Sequence, residues 1–182
     1  MQGIAASKAL ISSRDHTCVL LDGCTVQCWG LGTSGQLGTE NVSESFGPVL
    51  SLGADLTAVA ASQSHTCSLL VSGELQCWGQ FGDGSTAVLG TAISLGRTVR
   101  AVAAGGDHTC AIVEVNGQGA LKCWGRGKFG QLGYNSKDNK GDASFEMESL
   151  GYVYLGSGRS AVGITAGYAH TCAVLEIGRA HV

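Results

Sequence analysis

The tripeptide His-Thr-Cys occurs four times, at His16-Thr17-Cys18, His65-Thr66-Cys67, His108-Thr109-Cys110 and His170-Thr171-Cys172. Successive copies stand 49, 43 and 62 residues apart, near the period of repeat architectures whose units hold several strands each. A second tripeptide follows three of them, as Cys28-Trp29-Gly30, Cys77-Trp78-Gly79 and Cys123-Trp124-Gly125. Gly-Gln-Leu-Gly then appears at residues 35–38 and 130–133, while the second repeat carries Val88-Leu89-Gly90 in that place. A unit of this size cannot bury its apolar faces alone, so neighbouring units must stack.

Each unit reads as strands. Leu10, Val59, Val102 or Ile164 lies six residues before the histidine, and a small residue (Ser13, Ser62, Gly105 or Gly167) three before it. The segments are short, punctuated by glycine and rich in Val, Leu, Thr and Trp, and no window shows a capped amphipathic helix. Asn116-Gly117 is a type I′ turn signal, because both central residues need positive φ. Centring a hairpin there pairs Val115 with Gln118 and sets Cys110 opposite Cys123. Val71-Ser72-Gly73 suits a three-residue loop with Gly in the left-handed position, which sets Cys67 opposite Cys77. The first repeat has the same length, and the same register sets Cys18 against Cys28.

Composition narrows the function classes. Glycine is 29 of 182 residues and proline one, which excludes collagen, and an apolar share of 44 % excludes a disordered chain. No apolar run approaches the ~20 residues of a membrane helix. Eleven Lys+Arg against 14 Asp+Glu give a net charge of −3, without the basic footprint of a nucleic-acid binder.

The string His-Thr-Cys, Cys-Trp-Gly, Gly-Gln-Leu-Gly resembles the repeat of the chromosome-condensation-regulator family over nearly the whole chain. The resemblance implies an all-β fold, a β-propeller of four-stranded blades, seven in full-length members. About four blades would be present here, a partial ring over residues 1–175, with repeats centred on 16–38, 65–90, 108–133 and 170–175. Residues 176–182 match no other repeat and read as a non-native tail, with the native strand ending near Leu175. The implied role is a protein-binding scaffold without chemistry of its own or any cofactor. Guanine-nucleotide exchange on a small GTPase, substrate recognition in a ubiquitin ligase, or inhibition of an extracellular enzyme are its possible forms.

A histidine two residues from a cysteine also suggests a Cys–His enzyme, since i and i+2 share a strand face. Because the pair recurs four times, a packing role for His16, His65, His108 and His170 is favoured over a single active site. Trp29, Trp78 and Trp124 likewise read as packing residues within or between blades. Zinc is disfavoured by the absence of Cys-x2-Cys spacing. The glycine-rich stretches 30–38 and 125–133 lack the Lys-Ser/Thr of a phosphate loop.

The six cysteines Cys18, Cys28, Cys67, Cys77, Cys110 and Cys123 fit cross-strand disulfides, which would favour a secreted or lumenal compartment. Reduced apolar fillers suit a cytosolic or nuclear home; recurrence of both partners in register tips the balance to bridges. Residues 134–149 are the least repetitive stretch and a candidate partner loop, with Phe145 and Met147 as apolar contacts and Lys137 and Lys140 as charged rim. A solvated insertion is the alternative.

Overall fold

The computed structural model describes residues 7–22, 24–39, 42–81, 86–141 and 146–177. They form four antiparallel sheets in chain order. The first holds β1 (Ser7–Ser12), β2 (His16–Leu21), β3 (Thr25–Gly32) and β4 (Val42–Ser51). The second holds β5 (Leu56–Ala61), β6 (His65–Leu70), β7 (Leu75–Gln80) and β8 (Thr86–Ile93). Three strands make the third, β9 (Val99–Ala104), β10 (His108–Val115) and β11 (Gln118–Gly125). A four-residue helix, α1 (Glu146–Ser149), precedes the two-stranded sheet of β12 (Arg159–Ala166) and β13 (Thr171–Ile177). Each sheet is a meander, and β1, β5, β9 and β12 pack side by side along one edge of the array. This is the propeller arrangement, with blades stacked face to face.

The hairpin registers follow the turns. Val115 pairs with Gln118 around Asn116 and Gly117, whose φ values are 50° and 80°. Cys110 faces Cys123, Cys67 faces Cys77 and Cys18 faces Cys28. The glycine of Cys-Trp-Gly is required by geometry. Gly30, Gly79 and Gly125 have φ of 112°, 98° and 98°, and a Cβ on them would approach the carbonyl oxygen of Asp15, Ser64 or Asp107 within 2.6 Å. That oxygen accepts the next residue's N–H in all three blades, from Leu31, Gln80 and Arg126.

Three apolar clusters fill the spaces between sheets. Trp78 and Trp124 are buried in them, and Trp29 is half-buried on the first sheet. β13 runs through Glu176 and Ile177, two residues beyond Leu175. Gly178–Val182, the remainder of the expected tail, lie outside the described residues.

Candidate interaction surface

The histidines lock one blade to the next. Nε2 of His16 meets Oγ1 of Thr66 at 2.8 Å, His65 meets Thr109 at 2.6 Å, and His108 meets Thr171 at 2.9 Å. Thr66 and Thr171 donate their single hydroxyl protons to the backbone carbonyls of Gln36 and Gln131. They therefore accept from Nε2–H, which fixes that tautomer in His16 and His108. His16 and His108 thus reach the backbone of the Gly-Gln-Leu-Gly loops through a threonine hydroxyl. The glutamine of Gly-Gln-Leu-Gly also folds its own loop, its Oε1 accepting from the N–H of Ser34 or Phe129. Burial pulls the His16 imidazole down to about 4 and that of His65 to about 3. His170 is exposed.

The cysteine sulfurs of the three cross-strand pairs lie within bonding distance, with Cα–Cα separations of 4.0, 4.1 and 4.0 Å. These lie slightly below the usual disulfide range of about 4.4–6.8 Å and close to the about 4.5 Å of a non-hydrogen-bonded antiparallel pair. Cys24 is free, and its thiol donates to the Asp55 carboxylate at 3.0 Å; Cys172 is free and exposed. Imidazoles thus face threonines while cysteines face cysteines. No three His, Cys, Asp or Glu side chains converge as a metal site among the described residues. None of those residues forms a helix long and apolar enough to cross a membrane.

What departs from the repeat is the fourth strand of the third blade. Gly30 pairs with Ser45 and Gly79 with Ala87; Gly125 pairs with Lys140 in the same position. Val26 pairs with Leu50 and Leu75 with Ile93, and here the N–H of Val153 reaches the carbonyl of Leu121. Between Lys140 and Val153 the strand leaves the sheet in an excursion that contains α1. Side chains hold the gap. Tyr134 Oη accepts from the N–H of Cys123 and donates to the carbonyl of Gly151. The Lys122 ammonium, on a residue only 2 % exposed, donates to the carbonyls of Leu95 and Glu148.

The candidate loop residues therefore separate. Lys137 is exposed and Lys140 half-buried, while Met147 packs against the cluster between the second and third sheets that holds Cys77, Val113 and Trp124. Phe145 lies outside the described residues. Sequence reasoning overlooked Tyr152 and Tyr154, which are 45 % and 81 % exposed where the excursion rejoins the sheet. With Arg159, Asn116 and Gln118 they line a cleft of about 480 Å³. Tyrosine and arginine are the residues that dominate binding surfaces. The only earlier signal was the aromatic pair in Tyr152-Val-Tyr154 after a non-repetitive stretch.

Comparison with solved structures finds propeller neighbours, three of which illustrate the likeness. Human WBSCR16 matches at 16 % identity and a TM-score of 0.77, over 94 % of this chain and 45 % of its own. Prp20p of Saccharomyces cerevisiae matches at 18 % and 0.75, over 96 % and 44 %. The ectodomain of the Physcomitrella patens receptor kinase CR4 matches at 21 % and 0.56, over 93 % and 37 %. The chain spans less than half the length of each. No curated protein matches the sequence at comparable stringency. Two models described as the regulator of chromosome condensation (RCC1) repeat match residues 25–69, and 56–85 with 99–131. Together these cover more than half of the sequence, and the chain belongs to the regulator of chromosome condensation (RCC1) repeat family.

Proposed function

We propose that this chain is a protein-interaction scaffold whose contact surface is the third-blade excursion and the tyrosine cleft beside it. The observation that carries the reading is the excursion itself. It breaks the repeat at one place and is anchored beneath by Lys122 and Tyr134, with Lys137 exposed just before it and Tyr152 and Tyr154 exposed where it rejoins the sheet. A rigid base with exposed aromatic and basic groups limits the ordering cost of association. Among the neighbours, Prp20p is described with its binding to Gsp1p and histones. That supports a protein partner and, as the finer reading, nucleotide exchange on a small GTPase. The CR4 neighbour is an ectodomain, which together with the paired cysteines supports an oxidising compartment.

The test is affinity capture from the native source with the intact protein and with Tyr154→Ala and Lys137→Glu. Both side chains are exposed, so thermal midpoints should stay within about 1–2 °C. Loss of the captured partner in both variants is expected; unchanged capture removes the excursion from the interface. Accelerated release of fluorescent GDP from a Gsp1p-type GTPase would establish the finer reading, and an unchanged rate would restrict the role to binding.

A further inference from the structure

One short stretch closes each of the first three blades, and the third blade changes it. Ser51-Leu52-Gly53 and Ser94-Leu95-Gly96 follow the first two, and Tyr154-Leu155-Gly156 stands in that place in the third. Leu50 pairs with Val26 and Ile93 with Leu75, while the N–H of Val153 reaches Leu121, so Val49, Ala92 and Tyr152 also share one position. Two small or aliphatic positions of the repeat have thus become exposed tyrosines. The blade itself folds without phenols there, as the first two show.

The tyrosine cleft has a counterpart in the second blade. Gly73, Leu75, Ala92, Ser94, Gly96 and Arg97 line one of about 350 Å³, which stays open although β9, β10 and β11 are all in place beyond it. Arg97 and Arg159 both stand eleven residues before the histidine of their blade. The two clefts differ in charge. Glu74 lines the second-blade cleft, and α1 lays another carboxylate on its rim, where Glu148 Oε1 accepts from Ser94 Oγ at 2.6 Å. No Asp or Glu lines the third-blade cleft, and Arg159 is exposed without an ion pair among the described residues. Lys122 adds positive charge from beneath, its Nζ 5.5 Å from the Tyr152 ring centroid. On the adjoining strand Glu114 is bound to Arg100 at 2.7 Å. The chain's own acidic turn, Glu146–Ser149, therefore meets the Ser-Leu-Gly of the second blade, and no described segment meets the Tyr-Leu-Gly of the third in the same way.

We propose that the third-blade cleft binds an acidic segment of a partner protein, with a side-chain carboxylate on the Arg159 guanidinium and an apolar side chain against the Tyr152 and Tyr154 rings. A guanidinium takes a carboxylate through two parallel hydrogen bonds. Asn116, Gln118 and the phenol hydroxyls offer donors to the segment's carbonyls. The inference rests on the reading of this cleft as a contact surface and adds the charge of what it takes.

Octapeptides randomised over Asp, Glu, Lys, Arg, Leu, Val, Ser and Gly, acetylated and amidated at their ends, are selected on the full chain. The retained peptides should carry Asp and Glu at about threefold or more their input frequency. The best of them, labelled with a neutral dye, should bind about tenfold more weakly to Arg159→Glu and to Gln118→Glu. Both side chains are exposed, and an unchanged thermal midpoint verifies the fold of each variant. Retention of neutral or basic peptides, or equal binding to both folded variants, would overturn the inference. So would retention confined to a parallel library with free C-termini, which would assign Arg159 to a terminal carboxylate. Partner capture lost in Tyr154→Ala without any acidic preference among peptides would leave the contact surface standing and remove its charge preference. Capture that Tyr154→Ala leaves intact would remove the surface itself.

Discussion

Ser62 carries more of the second blade's lock than its size suggests. Its Oγ lies 2.6 Å from Nδ1 of His65 and accepts that residue's own N–H at 2.8 Å, all in buried surroundings. Ser62→Ala leaves both groups without a partner and should cost about 1–3 kcal/mol, read as a shift in the denaturation midpoint. At the equivalent position of the third blade, a Cβ on Gly105 would overlap the His108 ring, and Nδ1 of His108 has no hydrogen-bond partner among the described residues. The sequence shows only a small residue three before each histidine. Whether the site needs a hydroxyl or the lack of a Cβ depends on where the ring sits, which no local pattern records. The same imidazoles set a pH dependence. The unfolded chain protonates them below the ordinary 6.5, whereas folded His16 and His65 stay neutral down to about 4 and about 3. Their contribution to stability is thus complete above about pH 6.5 and is lost as the pH falls towards those lower values. The thermal midpoint should decline across that window, and His65→Gln should flatten the decline. A slope indifferent to His65→Gln would show that other groups set it.

At the scale of strands and turns, the hairpins were the most legible part of the sequence because their turns carry their own chemistry. Asn116-Gly117 fixes the register of β10 and β11 whatever packs around it, and the cysteine pairs follow. The fourth strand of the third blade was not legible as a strand. Its two pieces, at Lys140 and Val153, are identified by what they pair with on β11 and not by alternation of their own. The extra length was visible, and its conversion into an excursion depends on Tyr134 and Lys122 reaching across from other segments. Burial pushes the Tyr134 phenol up to about 12, so it stays protonated and keeps its donor for Gly151. Tyr134→Phe strips the partner from the Cys123 N–H and the Gly151 carbonyl. A loss of about 1–3 kcal/mol is expected, with faster amide exchange at Cys123 and little change at Cys28 or Cys77. Exchange that rises equally in all three blades would mean that Tyr134 supports the whole array and not one strand edge.

For the molecule as a whole, the repeat pattern disclosed the blades and their order, and the inter-blade ladder followed once Thr66, Thr109 and Thr171 were placed beside the histidines of the preceding blades. The pattern did not disclose that Trp78 and Trp124 insert towards the blade before their own, as Trp78 does on Gln36, because that contact spans two repeats. Apolar clusters, the His–Thr bonds and main-chain bonds join one blade to the next, while the cysteine pairs stiffen the hairpin within each of the first three blades. The three pairs close short loops, with separations of 10, 10 and 13 residues. On the chain-entropy account each bridge contributes about 3 kcal/mol, together roughly 9 kcal/mol against a usual domain stability of about 5–15 kcal/mol. Reduction should therefore remove a large part of the fold's stability, where the loss of any one surface ion pair would barely register. The six sulfurs belong to residues no more than 1 % exposed, so a reductant must wait for a blade to open. Reduction by dithiothreitol should accordingly be slow in native buffer and speed up sharply as urea approaches the unfolding midpoint. Thiol counting on denatured, unreduced protein from its native source should find two of the eight cysteines, Cys24 and Cys172, in the 182 residues. Eight free thiols, or a thermal midpoint unmoved by full reduction, would show that the strands hold their register by packing alone.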